Sequence, residues 1–129
     1  MRCWRQFPRR GGGPGGSHAL FAGGTPKDGS LVVDAYDASL TLTAAADLSS
    51  AQNSYAAAAV GGYALFAGDT ADADVYDASL TKTTVSILSA ARQPDAVTAG
   101  GYAFFAGGDE SGTEEVCDAS LPRTTLPAL

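Results

Sequence analysis

Three times the chain reads Phe-Ala-Gly and then Asp-Ala-Ser-Leu: Phe21-Ala22-Gly23 with Asp37-Ala38-Ser39-Leu40, Phe66-Ala67-Gly68 with Asp77-Ala78-Ser79-Leu80, and Phe105-Ala106-Gly107 with Asp118-Ala119-Ser120-Leu121. The copies recur at a period of roughly 40 residues, which is typical of solenoids, propellers and other repeat arrays. The architecture therefore follows from one unit used about three times. The repeats alone do not identify a ligand or a partner.

Each unit alternates short apolar stretches with turn-forming residues, which predicts four strands per unit. Paired glycines at 61–62 and 100–101 accept positive φ and favour tight hairpins. The stretch that contains Asp74 and Tyr76 alternates with period two, as do its counterparts, and this is the pattern of a strand. Asp-Ala-Ser then favours a turn, because Asp and Ser side chains bond nearby backbone groups. The threonine-rich run after it suits an outer, half-exposed strand.

One segment carries conflicting signals. The run at 55–59 is Tyr followed by four alanines, and alanine is the best helix former. Its counterpart at 93–99 contains Pro94 and two β-branched residues, which oppose a helix interior. Because equivalent segments of a repeat share a conformation, we predict strands at both places.

Charge is distributed unevenly along the chain, whose net charge is −6. Half of the positive charge lies in Arg2, Arg5, Arg9 and Arg10. We interpret residues 1–17 as a flexible, basic, Gly- and Pro-rich tail, with a basic interaction arm as the alternative. Residues 18–129 form an acidic repeat domain, which repels phosphate backbones and anionic lipids, so we expect no nucleic-acid and no membrane partner.

The sequence shows neither a signal peptide nor an apolar run long enough to cross a membrane. If Met1 is the true start, we therefore expect a cytoplasmic protein; otherwise the compartment stays open.

The units resemble kelch repeats. They share a glycine pair after an apolar strand (Gly23-Gly24 and Gly107-Gly108), Val-x-x-Tyr-Asp at 33–37, and Ala90-Ala91-Arg92 before the next unit. The resemblance implies an all-β fold of kelch-like, four-stranded β-propeller blades, with boundaries near 18–48, 49–88 and 89–129. The chain departs from the kelch pattern at Cys117, which stands where tyrosine is expected, and at the threonines that replace the tryptophan of the last strand.

The number of blades sets a further expectation. About three blades are fewer than the four to eight of a closed propeller, and we expect the first blade to lack its initial strand. The predicted architecture is therefore an incomplete propeller: a fragment of a longer protein, an open arc, or a piece that closes by self-association. A symmetric homodimer would supply about six blades, a number that closes.

The sequence offers no catalytic constellation. His18 is the single histidine, and a triad needs a histidine with partners. The Asp-Ala-Ser motif recurs at the same place in every unit, which favours a turn over a catalytic pair. The acidic stretch at 69–74 lacks the glycine and distal glutamate of an EF-hand loop. For this stretch and the acidic stretch at 109–115 we predict solvated loops with no metal and no cofactor.

Kelch propellers mostly serve as protein-interaction platforms, and a minority are enzymes such as the galactose oxidase type. The resemblance therefore implies a non-catalytic repeat module for protein–protein interaction, as a fragment or an oligomerising piece of a larger propeller. The alternatives are a carbohydrate-binding or galactose-oxidase/epimerase-type propeller and a structural surface or adhesion repeat protein. The candidate interaction residues lie in the connections of variable length, where loops carry function: Lys27, Asp28, Asp69, Asp72, Asp109, Glu110 and Glu114.

Overall fold

The three sequence repeats fold as three antiparallel sheets. The structure, a computed structural model, describes residues 4–6, 18–23, 31–51, 56–108, 114–120 and 123–126. Within these ranges every regular secondary-structure element is a β-strand, which confirms the all-β prediction. No helix that could cross a membrane occurs in this part of the chain.

In each sheet the four strands are arranged in chain order, so that each strand after the first pairs with the strand that precedes it in the sequence. Sheet 1 consists of β1 (Trp4–Gln6), β2 (Ala19–Ala22), β3 (Val33–Tyr36) and β4 (Leu42–Ala44). Sheet 2 consists of β5 (Ala56–Val60), β6 (Tyr63–Ala67), β7 (Asp72–Tyr76) and β8 (Lys82–Ser86). Sheet 3 consists of β9 (Asp95–Ala99), β10 (Tyr102–Ala106), β11 (Glu114–Cys117) and β12 (Arg123–Leu126).

The first sheet has an initial strand that the sequence did not predict. β1 pairs antiparallel with β2, with Trp4 opposite Phe21 and Gln6 opposite Ala19. The expectation that the first repeat lacks this strand is therefore wrong, and the predicted tail contains a strand at 4–6. The physical reason is that an open strand edge accepts any segment able to supply backbone hydrogen bonds, whatever its resemblance to other repeats. The rest of the predicted tail lies outside the described residues.

The alanine-rich segment forms a strand, as predicted. β5 and its counterpart β9 each pair with the strand that follows through a hairpin. The hairpins turn at Gly61-Gly62 and Gly100-Gly101, whose φ values are all positive, between 55° and 90°. A two-residue turn with positive φ at both positions matches the right-handed twist of the paired strands. Tertiary pairing therefore overrides the helix propensity of alanine here.

The core consists of two apolar layers between successive sheets. We call the face that carries Phe66, Asp74 and Tyr76 the front of sheet 2, and the face that carries Leu65 and Val75 its back. The corresponding faces of sheets 1 and 3 take the same names. The back of sheet 1 packs on the front of sheet 2, and the back of sheet 2 packs on the front of sheet 3. Sheet 2 is therefore covered on both sides, and 73–76 are all buried.

The first strands of the three sheets are neighbours. β5 lies against both β1 and β9. The Thr98 hydroxyl on β9 donates to the carbonyl of Ala59 on β5 at 3.0 Å and lies 3.3 Å from the amide nitrogen of the same residue. This hydroxyl therefore pairs with backbone groups at the edge of β5. By contrast, β8 at the other edge of sheet 2 is largely exposed, as expected for a threonine-rich outer strand.

Candidate functional site

In each sheet the connection between the second and third strands lies at the end of the strands opposite the Gly-Gly hairpins, because successive strands run antiparallel. We call this the loop edge. Asp69 and Asp72 are exposed there, in the connection that leads into β7, and the Thr70 hydroxyl donates to the Asp72 carbonyl at 2.9 Å. Glu114, half-buried, opens β11 at the same edge of the next sheet. Four of the predicted residues lie outside the described residues: Lys27, Asp28, Asp109 and Glu110.

A further carboxylate belongs to the loop edge and was not predicted from the sequence. Asp95 opens β9, is exposed, and is paired with Ala106, which in turn is paired with Glu114. Asp95 and Glu114 therefore lie in one row across sheet 3, on the same face. The sequence signal was the polar residue that begins an otherwise small and apolar strand. This edge is acidic in both sheets 2 and 3, which favours cationic partners over anionic ones.

The Asp-Ala-Ser motif forms a side-chain-capped turn in each repeat. The Asp77 carboxylate accepts hydrogen bonds from the amides of Ser79 and Thr81 at 2.8 and 3.0 Å. Asp37 makes the same two bonds in the first repeat, and Asp118 bonds both the amide and the hydroxyl of Ser120. Leu40 and Leu80 close their turns with positive φ. These contacts give the motif a turn-forming role, as predicted, in all three repeats.

The Asp118 turn gives a testable pH dependence. The Ser120 hydroxyl and, to a smaller extent, the Ser120 amide donate hydrogen bonds to the Asp118 carboxylate. These bonds lower the pKa of Asp118 below its ordinary value of 3.8. Because the folded pKa lies below the unfolded one, this turn stabilises the fold fully above the unfolded pKa, and the contribution is lost as pH falls through the folded pKa. We expect Ser120→Ala to raise the pKa of Asp118, measured by carboxyl-carbon NMR titration, whereas Ser120→Thr, which keeps the hydroxyl, should not. An unchanged midpoint in Ser120→Ala would contradict the assignment.

Two buried carboxylates tie successive sheets together. Asp74 on the front of sheet 2 accepts from the amide and hydroxyl of Ser49, at 2.7 and 2.5 Å, and from Thr84 at 3.2 Å. Ser49 belongs to the connection that leads out of sheet 1. Glu115, at the equivalent position of sheet 3, accepts from the amide and hydroxyl of Ser89 in the next connection. We use the word junction for a back face, the front face that covers it, and the connection between their two sheets. The same tie, a pair of hydrogen bonds from a serine of the connection to a buried carboxylate, therefore occurs at both junctions.

The second junction adds a buried ion pair. Arg92 donates to the carboxylate of Glu115, and both side chains are fully buried. A buried carboxylate is tolerated because it is paired and hydrogen-bonded. At the first junction, the Lys82 ammonium donates to the carbonyl of Asp47 at 2.6 Å and to the Ser49 hydroxyl at 3.2 Å. The Tyr76 hydroxyl donates to the Ala46 carbonyl at 2.6 Å, which attaches the same connection to sheet 2.

The burial of these two carboxylates corrects the interpretation of the acidic stretches as solvated loops. The sequence pattern predicted solvated loops for Asp74 and Glu115, but the structure buries both on the inward faces of strands. Sequence reasoning also missed Ser49 and Ser89. The available signal was a Leu-Ser pair, Leu48-Ser49 and Leu88-Ser89, at the same distance after Asp37 and Asp77. Both leucines are buried.

The turn and junction carboxylates make hydrogen bonds within the fold. The Asp-Ala-Ser carboxylates accept hydrogen bonds within their turns, and the two junction carboxylates are enclosed in the core. Within the described ranges, no three His, Cys, Asp or Glu side chains converge as metal ligands would. The chain matches no protein-family model, and it matches no curated protein in sequence.

Proposed function

We propose that this chain is a non-catalytic, kelch-like repeat module that binds other proteins and forms part of a larger β-propeller. The observation that carries this proposal is the repetition in three dimensions: similar four-stranded sheets pack face on face, with their first strands adjacent. Propeller blades are four-stranded sheets whose first strands surround a common axis. The exposed threonine-rich strand β8, far from the contact between first strands, fits the outer edge of such a blade.

Protein binding is assigned to the loop edge. Its connections have a different length in each of the three repeats, whereas the Asp-Ala-Ser connection at the opposite edge has the same length in all three and the Gly-Gly turn recurs in the second and third. Variable loops on a repeated, rigid scaffold are the usual carriers of recognition. The exposed acids Asp69, Asp72 and Asp95 favour a partner with a basic surface.

The test is a binding comparison between two variants of equal fold. The triple variant Asp69→Asn, Asp72→Asn, Glu114→Gln neutralises the loop edge, whereas the double variant Ser39→Ala, Ser79→Ala changes the opposite edge and keeps the backbone bonds to Asp37 and Asp77. A partner captured from extract and then purified should bind the triple variant at least several-fold more weakly than the unaltered chain. Its affinity for the unaltered chain should also fall with added salt.

The serine variant should bind this partner as the unaltered chain does. Equal affinity for the triple variant, or a loss confined to the serine variant, would overturn the assignment of binding to the loop edge.

A further inference from the structure

The first strand of sheet 1 differs in length from the first strands of the other two sheets. β1 has three residues, whereas β5 and β9 have five each. β5 pairs with β6 along all five of its residues, and β9 pairs with β10 in the same way. β1 pairs with β2 only through residues 4–6, so Ala22, the last residue of β2, has no partner in β1. β1 therefore covers less of its neighbour's edge than β5 and β9 do.

The connection that follows β1 is also different. β5 and β9 are joined to the next strand by two-residue hairpins, Gly61-Gly62 and Gly100-Gly101. Between β1 and β2 the chain passes through the whole segment 7–18. The entropy lost when two strands pair grows with the length of the chain that connects them. The connection therefore favours the pairing of β1 with β2 less than a hairpin favours the other two pairings.

The residue types of β1 fit a sheet edge better than a permanent central strand. The register places Arg5 opposite Leu20, on the back of sheet 1, where the other two sheets have Ala58 and Val97. Leu20 is fully buried, and arginine is one of the residues least often buried in proteins. Short edge strands and inward-pointing charges are features by which proteins protect a sheet edge from pairing with other chains. β1 therefore has the properties of a cover for the edge of β2.

The chain itself shows which kind of segment fits this edge. The equivalent edges of β6 and β10 are occupied by Ala56–Val60 and Asp95–Ala99, in which four of five side chains are alanine, valine or threonine at the least. The space favours small side chains, because β5 lies against both β1 and β9, and four of the five residues of β5 are buried. A segment in the place of β1 would lie beside β5 in the same way. The edge of β2 therefore suits an extended segment of small or β-branched residues.

We propose that the edge of β2 is a strand-addition site, at which an extended segment of a partner protein pairs antiparallel with β2 and releases β1. The segment is about five residues long and is composed of small and β-branched side chains, as β5 and β9 are. Strand addition obtains affinity from main-chain hydrogen bonds and specificity from alternate side chains. The added strand would pair with Ala22, which β1 does not reach. This site is separate from the loop edge, so it does not depend on the assignment of binding there.

The test uses a capped synthetic peptide with the sequence of residues 93–99, which contains β9. The peptide is added to the isotope-labelled full chain, and amide signals are followed by NMR. The signals of residues 4–6, and the indole signal of Trp4, the single tryptophan, should move to the positions of an unpaired segment in a saturable way. The signals of 19–22 should shift but keep the values of a strand. The signals of 95–99 should not move, because a hairpin holds β9 in place.

A second peptide is the matched control. It carries Val97→Pro, which removes a backbone donor and opposes pairing within a sheet, so it should leave all signals unchanged. In the chain, Arg5→Pro weakens β1 by the same chemistry. It should raise the apparent affinity for the unaltered peptide by about tenfold, because more chains then have an open β2 edge.

The outcomes are separable from those of the loop-edge test. The loop-edge triple variant should bind the peptide as the unaltered chain does. The proposal is overturned if the peptide leaves the signals of 4–6 unchanged, or if the proline peptide has the same effect. Both results come from the unaltered chain, so they do not depend on how Arg5→Pro folds. An Arg5→Pro chain that keeps the signals of sheets 2 and 3 but binds the peptide no more tightly would also overturn it.

Discussion

Replacing Glu115 by alanine should lower the free energy of unfolding by about 3–5 kcal/mol, the cost of removing one partner of a buried ion pair. The substitution leaves the Arg92 guanidinium without its buried counter-charge and removes the acceptor of two Ser89 bonds. We expect Arg92→Met to cost a similar amount, because Glu115 then stays buried without its counter-charge. The measurement is urea unfolding of each variant beside the unaltered chain.

Asp34→Ala is the matched control for this prediction. Asp34 occupies the equivalent place in sheet 1 and is half-buried, and its carboxylate accepts no hydrogen bond from a described residue. Its substitution should change the free energy of unfolding by no more than about 0.5 kcal/mol, as for an ordinary surface position. The double substitution Arg92→Met, Glu115→Leu should recover most of the loss, because it removes both charges and fills the space. Equal losses at Asp34 and Glu115 would show that the ion pair does not stabilise the junction.

The sequence predicted the parts of the fold that depend on local chemistry. The Gly-Gly hairpins follow from the need for positive φ at both turn positions, and the structure has positive φ at both. The turns at Asp37, Asp77 and Asp118 follow from a carboxylate located two residues before an amide it can bond. The strand at 56–60 was recovered only because its counterpart at 95–99 excluded a helix.

The parts that depend on distant partners were not predictable in the same way. Asp74 looks solvated in sequence, because it follows two other acids, Asp69 and Asp72, that are exposed. Its burial depends on hydrogen bonds from Ser49, which is 25 residues away in the chain and lies in the connection that leads out of sheet 1. β1 was missed for a similar reason, since it shares no residue pattern with β5 and is defined by backbone pairing to β2. Of the candidate interaction residues, the local pattern located Asp69 and Asp72 at the surface. It missed Asp95, because this residue begins a strand and does not lie in a connection of variable length.

The two internal junctions are built from the same parts. The Leu-Ser connection, the apolar back face and the carboxylate of the next front face recur at each internal junction. Stability of such arrays is a sum of unit and nearest-neighbour terms, so an outer unit with one neighbour is less stable than an inner one. Sheet 2, covered on both sides, should therefore be the most stable unit of the chain.

Gly61→Ala should lower the free energy of unfolding by about 2–5 kcal/mol, the sum of a left-handed backbone cost of about 1–2 kcal/mol and an overpacking cost of about 1–3 kcal/mol. Gly61 has φ of +55°, and a Cβ there would lie 2.2 Å from the Cβ of Ala119, in the Asp-Ala-Ser turn of sheet 3. The clash involves a backbone-fixed methyl group, so no rotamer change relieves it. Urea unfolding of the variant beside the unaltered chain measures the effect.

Gly100→Ala separates the two costs. Gly100 is equivalent to Gly61, has φ of +56°, and would place its Cβ in open space. In the same unfolding experiment Gly100→Ala should cost only the backbone share of about 1–2 kcal/mol. The difference between the two variants then measures the clash with Ala119. Equal losses for Gly61→Ala and Gly100→Ala would contradict that clash as the source of the larger cost.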